Sequence, residues 1–196
     1  MLDHLKKYRI VLASNSPRRR ELLKGLGLDF EVRTLEGIDE SYPSSLKGEE
    51  IPMYICGQKA KAYLPTMADD ELIITADTIV YCDGEVLGKP FDDADAARML
   101  RQLSGKVHQV ITGVSIITKQ THRVFATTSL VEFDNISEED IEYYVSHFHP
   151  TDKAGAYGIQ EWIGYIGCTA IRGSYFNVMG FPVHLVYRYL HSRGLL

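Results

Sequence analysis

Cysteine is scarce and poorly placed for a structural role. The 196 residues contain 3, at Cys56, Cys82 and Cys168, with no Cys-x-x-Cys pair. That argues against a disulfide framework and a structural zinc site, and favours a reducing compartment. Long apolar runs are also missing: none approaches the length that spans a bilayer, and the opening MLDHLKKYRI lacks the apolar core of a signal peptide. Positive charge is not in excess, with 21 Lys and Arg against 26 Asp and Glu and a net charge of −5. Such a chain has no general attraction to nucleic acid or to anionic membrane. No Walker, GxGxxG, HExxH or GxSxG motif occurs. There is no internal repeat, low-complexity tract or Gly/Ser-rich linker. What these absences leave is a cytoplasmic enzyme or binding protein without membrane or nucleic-acid partners. A polyanionic substrate would have to be held by local basic residues or a metal.

What is present alternates strands with helices. The length suits one sizeable core, and a single domain over residues 1–196 is expected. Residues 9–13 read as a strand, 17–26 as a helix closed by Gly27, and 30–34 as a second strand. A helix over about 49–64 carries Ile55, Lys59 and Tyr63 along one face. Residues 72–76 form a strand, and 79–82 pair with 85–87 across Asp83-Gly84, a strong hairpin signal. Asp92 or Asp93 caps a helix to about Leu103. Two β-rich runs follow, 107–118 and 123–133, as an antiparallel pair. Ser137 opens another helix in capping-box style, ending before Pro150. A glycine-rich stretch over 155–180 leads to a terminal helix over 182–193. This order fits an α/β unit with a mixed sheet.

The densest chemistry lies in IVLASNSPRRR, residues 10–20. Ser16 is a natural N-cap and Pro17 suits the first helical position. Free backbone N–H groups, two hydroxyls and guanidinium forks at one helix start suit a phosphate; an ordinary capped helix with solvated arginines is the competing interpretation. Asp77 sits where the 72–76 strand runs out, the place at which α/β proteins commonly set metal ligands and general bases, or merely a capped turn. Asp39-Glu40 is an acidic loop pair; one of its carboxylates with Asp77 would suffice for Mg²⁺ alongside phosphate oxygens, unless the pair is simply solvated. Lys89 is fixed between Gly88 and Pro90. DKAGAYGIQ, residues 152–160, is rich in glycine and polar groups, and Gln160 offers a donor and an acceptor to a base edge. Thr112-Gly113 inside a strand suggests a bulge or a close contact. His108 reads as a structural hydrogen-bonding residue rather than a proton carrier. This inventory favours metal-assisted hydrolysis at a phosphate over covalent catalysis.

ASNSPRR, ADTIV, GKP, SGKVHQVITGV, DKAGAYGIQ and NVMGFP, in this order and at these spacings, resemble the Maf family of nucleoside triphosphate pyrophosphatases. The likeness runs from Ile10 to about Pro182. It implies a single α/β domain of two lobes with a long mixed sheet and a central cleft, similar to inosine triphosphate pyrophosphatases. It also implies hydrolysis between the α and β phosphates with a divalent cation, Mg²⁺ or Mn²⁺, giving a monophosphate and pyrophosphate. Position by position, Asp77 resembles the general base and Glu40 a metal-handling carboxylate. Ser14, Arg18 and Arg19 resemble the phosphate-gripping loop, and Lys59 and Lys89 complete a cationic lining. Arg18, Thr78 and Gln160 match the subfamily acting on dTTP and UTP. Two positions depart from the family pattern: Asn15 stands between the serines where glycine is more usual, and Glu161-Trp162 follow Gln160 where a small residue or glycine is common. The second departure reshapes the rim near the base. A homodimer is compatible with the resemblance. The alternative from another class is a non-catalytic interaction protein acting in inhibition of septum formation, with Arg18, Arg19 and Arg20 meeting an acidic partner.

Overall fold

The computed structural model describes residues 2–192. Strands β1 (Arg9–Leu12), β2 (Glu31–Val32), β3 (Glu71–Cys82), β4 (Glu85–Leu87), β5 (Val107–Ile117), β6 (His122–Phe133) and β7 (Cys168–Arg172) form one sheet. Its order is β2-β1-β3-β5-β6-β7, with β4 on β3. Pairing is mixed: β1 runs parallel to β2 and to β3, whereas β3–β4 and β6–β7 are antiparallel. The helices are α1 (Pro17–Lys24), α2 (Glu50–Ala62), α3 (Asp93–Leu103), α4 (Glu138–Phe148), α5 (Trp162–Gly167), α6 (Tyr175–Val178) and α7 (Val183–His191).

Local chemistry explains most boundaries. Ser16, Asp92 and Ser137 each accept a hydrogen bond from the backbone N–H three residues on, at Arg19, Asp95 and Asp140, so α1, α3 and α4 start where their caps sit. Asp83 and Gly84 both take positive φ between β3 and β4, as a two-residue hairpin loop requires.

Three expectations need correcting. Residues 72–76 and 79–82 are parts of one 12-residue strand, β3, so Asp77 lies within a strand and not at its end. The second strand is only Glu31–Val32, both exposed. Helix α1 stops at Lys24, with the positive-φ Gly27 in the turn beyond it. The glycine-rich stretch over 155–180 holds α5, β7 and α6. The terminal helix spans Val183–His191, and its expected last residue, Arg193, falls outside the described residues.

The chain divides into two units. The first comprises residues up to Asp77, Thr112–Thr127 and the segment from Gly180 onward; the second comprises Thr78–Ile111 and Thr128–Met179. In the first, side-chain alternation along β3 sets Ile73, Thr75 and Asp77 on one face, and α2 covers that face. Ile73 clusters with Ala60 of α2 and with Tyr63 at its C-cap, the Thr75 hydroxyl donates to the Cys56 carbonyl at 2.6 Å, and Asp77 meets Lys59. Helix α2 also lies unusually close to β5. A Cβ on Gly113 would come within 2.5 Å of the backbone carbon and oxygen of Pro52, so only glycine fits there. The second unit packs α3, α4 and the 154–163 segment around Leu100, Leu103, Phe133, Ile141, Tyr144 and Tyr157.

Candidate active site

Parallel pairing of β1 with β3 ends at Leu12 and Ile74, with the Ala13 N–H donating to the Ile74 carbonyl. Beyond that point β1 stops while β3 continues, so the Ser14–Ser16 turn arrives level with Ala76 and Asp77. Arg19 closes this corner. Its Nη1 donates to the Ala76 carbonyl at 2.9 Å and, more weakly, to Ser14 Oγ at 3.4 Å; its Nε donates to the Gly180 carbonyl at 2.9 Å. Ser14, 7% exposed, also accepts from the Ser16 N–H at 3.2 Å. Desolvation lowers the Arg19 pKa, with the nearby Asp77 charge opposing the shift. Arg18 is half-buried on the same first turn. Arg20 donates to Asn15 Oδ1 at 3.2 Å, which gives Asn15 a role that a glycine there lacks.

The decisive feature of the first unit is Lys59. Its Nζ stands 2.8 Å from Asp77 Oδ1 and 2.8 Å from Glu40 Oε1. Helix α2 thus carries one ammonium to two carboxylates drawn from a strand and a loop. Lys59 and Asp77 have side chains 14% and 13% exposed, whereas Glu40 is half in solvent at 50%. Asp39, the other member of the acidic pair, is turned onto its own loop, accepting from the Ser41 N–H and hydroxyl at 2.8 Å each. Those bonds hold its carboxyl below the usual range and leave Glu40 as the partner of Lys59. The Cys56 thiol is no nucleophile: burial pushes its pKa up to about 12.

The second unit holds Thr78, Lys89 and Gln160. Thr78 is the residue after Asp77 on β3 and is half-buried; Lys89 is exposed after the β4 hairpin. The Gly155 N–H donates to the Gly88 carbonyl at 3.0 Å, joining the GKP turn to the 152–160 segment. Gln160 is half-buried, and its Oε1 is a buried acceptor with no partner. His108 is 1% exposed, bonds Tyr157 Oη through Nε2 at 2.7 Å, and has its pKa lowered to about 4 by burial. It is a neutral structural residue, as expected.

The family model described as Maf-like protein matches residues 9–193. The chain belongs to that family. A dTTP/UTP pyrophosphatase of Phocaeicola vulgatus is 60% identical over 187 residues, covering 95% of this chain and 97% of its own length. One from Parabacteroides distasonis is 60% identical over 190 residues, covering 97% and 98%. One from Flavobacterium johnsoniae is 44% identical over 188 residues, covering 96% of each. Among solved structures, a HAM1 protein from Coxiella burnetii superposes with a TM-score of 0.48 at 13% identity, covering 94% of this chain and 98% of that one.

In this Maf-like chain the first unit brings together Ser14, Arg19, Glu40, Lys59 and Asp77 of the residues singled out from the sequence. Sequence reasoning missed Tyr144, whose hydroxyl donates to the Glu161 carboxylate and accepts from the Gly158 N–H at 3.1 Å. Its spacing with Ile141 and Val145 on α4 reads only as core, so nothing in the pattern marks the hydroxyl.

Proposed function

We propose that this chain hydrolyses nucleoside triphosphates between the α and β phosphates, with dTTP and UTP preferred, and that residues 1–196 act as one pyrophosphatase domain. The observation that carries the proposal is the Lys59 ammonium held 2.8 Å from both Asp77 and Glu40, beside the corner built by Ser14 and Arg19. Asp77 takes the proton of the attacking water. The cations Arg18, Lys59 and Lys89 offset charge that grows on the bridging oxygen as the bond breaks. Gln160 reads the base: its amide N–H₂ donates to O4 of a uracil or thymine, and the unpartnered Oε1 accepts from N3–H. Glu40 and Asp77 are oxygen donors of the kind hard cations take, needing only one or two protein carboxylates beside phosphate oxygens; the point at which they meet holds the Lys59 ammonium, so a divalent cation bound by both would displace it. Such a cation, when bound, lowers the pKa of water and neutralises phosphate charge.

The test is pyrophosphate release by the purified protein from dTTP, UTP, CTP, ATP and GTP, with Mg²⁺, with Mn²⁺ and with chelator. UTP and dTTP should lead, CTP should be weaker but not inert, and purines should fail. Asp77→Asn should lower kcat by ~10²–10⁴-fold, the usual worth of a general base. Near-normal turnover by Asp77→Asn overturns the base assignment; ATP or GTP as best substrate overturns the pyrimidine preference.

A further inference from the structure

Gln160 occupies the third position of a tight turn closed by the Glu161 N–H donating to the Gly158 carbonyl at 2.9 Å. Both ends of that turn are held by one phenol. The Tyr144 hydroxyl accepts from the Gly158 N–H at 3.1 Å and donates to the Glu161 carboxylate. Tyr144 is fully buried, and burial together with Glu161 raises its pKa, so the proton needed for donation stays on it. The Glu161 side chain folds back over the turn so closely that a Cβ on Gly158 would lie 2.7 Å from its carboxyl carbon. Its other oxygen faces Lys153 Nζ at 3.3 Å, and Lys153, 8% exposed, also bonds Asp152 at 2.6 Å. Ile159, 5% exposed, anchors the remaining central position of the turn in the core. Every residue around Gln160 is therefore tied down, while the acceptor oxygen of Gln160 itself is buried and unpartnered.

We propose that Glu161, acting through Tyr144, is the positioning residue that sets the Gln160 amide for uracil and thymine, and so a determinant of the choice between UTP and CTP. The proposal rests on the reading of Gln160 as the base reader. An amide on a loose turn shifts to suit cytosine; on a turn whose two ends are held, the Gln160 backbone is fixed and its amide reaches the base from one place.

The experiment compares kcat/KM for UTP and CTP in wild type, Gln160→Ala, Glu161→Ala, Glu161→Gln, Tyr144→Phe and the double variant Gln160→Ala/Glu161→Ala. Glu161→Ala and Tyr144→Phe should each lower the UTP:CTP ratio by ~10-fold, mostly through a higher KM for UTP, because ordering the amide then falls to the binding step. Glu161→Gln should keep the ratio within about threefold, since its amide oxygen still accepts from Tyr144. The double variant should discriminate no worse than Gln160→Ala alone, as expected when one residue acts through the other. If Gln160→Ala loses the ratio while Glu161→Ala and Tyr144→Phe keep it, the positioning role is overturned and the base reading stands. If Gln160→Ala keeps the ratio, the base reading fails and this proposal with it. Should Glu161→Ala fail to fold by circular dichroism, Tyr144→Phe, which deletes a single oxygen, decides.

Discussion

Arg19 shows why a positive charge alone does not describe the corner proposed for phosphate. Its planar fork reaches two carbonyls, Ala76 and Gly180, at 2.9 Å each, from different nitrogens. A lysine has the charge but not the span. Hydrogen bonds made by charged groups are worth about 1.5–3 kcal/mol, so Arg19→Lys should lower kcat/KM for UTP by ~10–100-fold despite its unchanged charge. Steady-state kinetics of Arg19→Lys against wild type give the answer; near-equal values would mean that charge is all the position supplies. The same residue marks a limit of sequence reading. SPRR announced arginines on the first turn of a helix, but not that one of them would face backbone carbonyls 57 and 161 residues away. Glu40 is similar: the choice between it and Asp39 depends on Ser41, which draws Asp39 into the loop.

At the level of elements, the periodic and capped segments were legible. Of the expected face of α2, Lys59 meets Asp77 of β3 and Tyr63, the C-cap, packs on Ile73, and the caps of α1, α3 and α4 lie where Ser and Asp placed them. The elements that escaped have their cause elsewhere in the chain. Asp77 looked like the end of a strand because a charge interrupts an apolar run; the strand continues because Lys59 meets that charge. Strand β7 is mostly exposed and has no alternation of its own, so it exists through its register with β6. Gly113 was the opposite case, a glycine inside a strand signalling close approach, and α2 is what approaches. Gly113→Ala forces backbone against backbone and should cost about 1–3 kcal/mol of stability, as overpacking does. Urea unfolding measures it, with an unchanged midpoint as the contrary result. Because α2 carries Lys59, activity should fall with it.

At the scale of the whole molecule, buried titratable groups set how the fold responds to acid. His108 has a folded pKa of about 4 against an ordinary 6.5. Between those values the unfolded chain takes up a proton that the native chain refuses, so the contribution is complete above pH 6.5 and is lost as pH falls towards 4. The shift corresponds to roughly 3 kcal/mol. Glu71, 1% exposed and bonded by Arg33 at 2.8 Å through both oxygens, has its pKa held below 4.5 and adds a second loss at lower pH. Urea midpoints at pH 7 and pH 5 should drop for wild type and drop less for His108→Gln, which can still bond Tyr157. Equal slopes would show that the imidazole is not the group titrating.

The residues proposed for phosphate and for base also differ in kind: Arg18, Lys59, Asp77 and Glu40 are ionisable, whereas Gln160, the proposed base reader, is a neutral amide on a turn that the Tyr144 phenol holds. Dissolved ions treat these unequally. Raising ionic strength from 0.15 to 1 M shortens the screening length from about 8 Å to about 3 Å, which weakens the hold on a triphosphate but leaves an uncharged hydrogen-bond pattern alone. Added potassium chloride should therefore raise KM for UTP and CTP together while their ratio stays constant. In this enzyme brine would blunt appetite without changing taste.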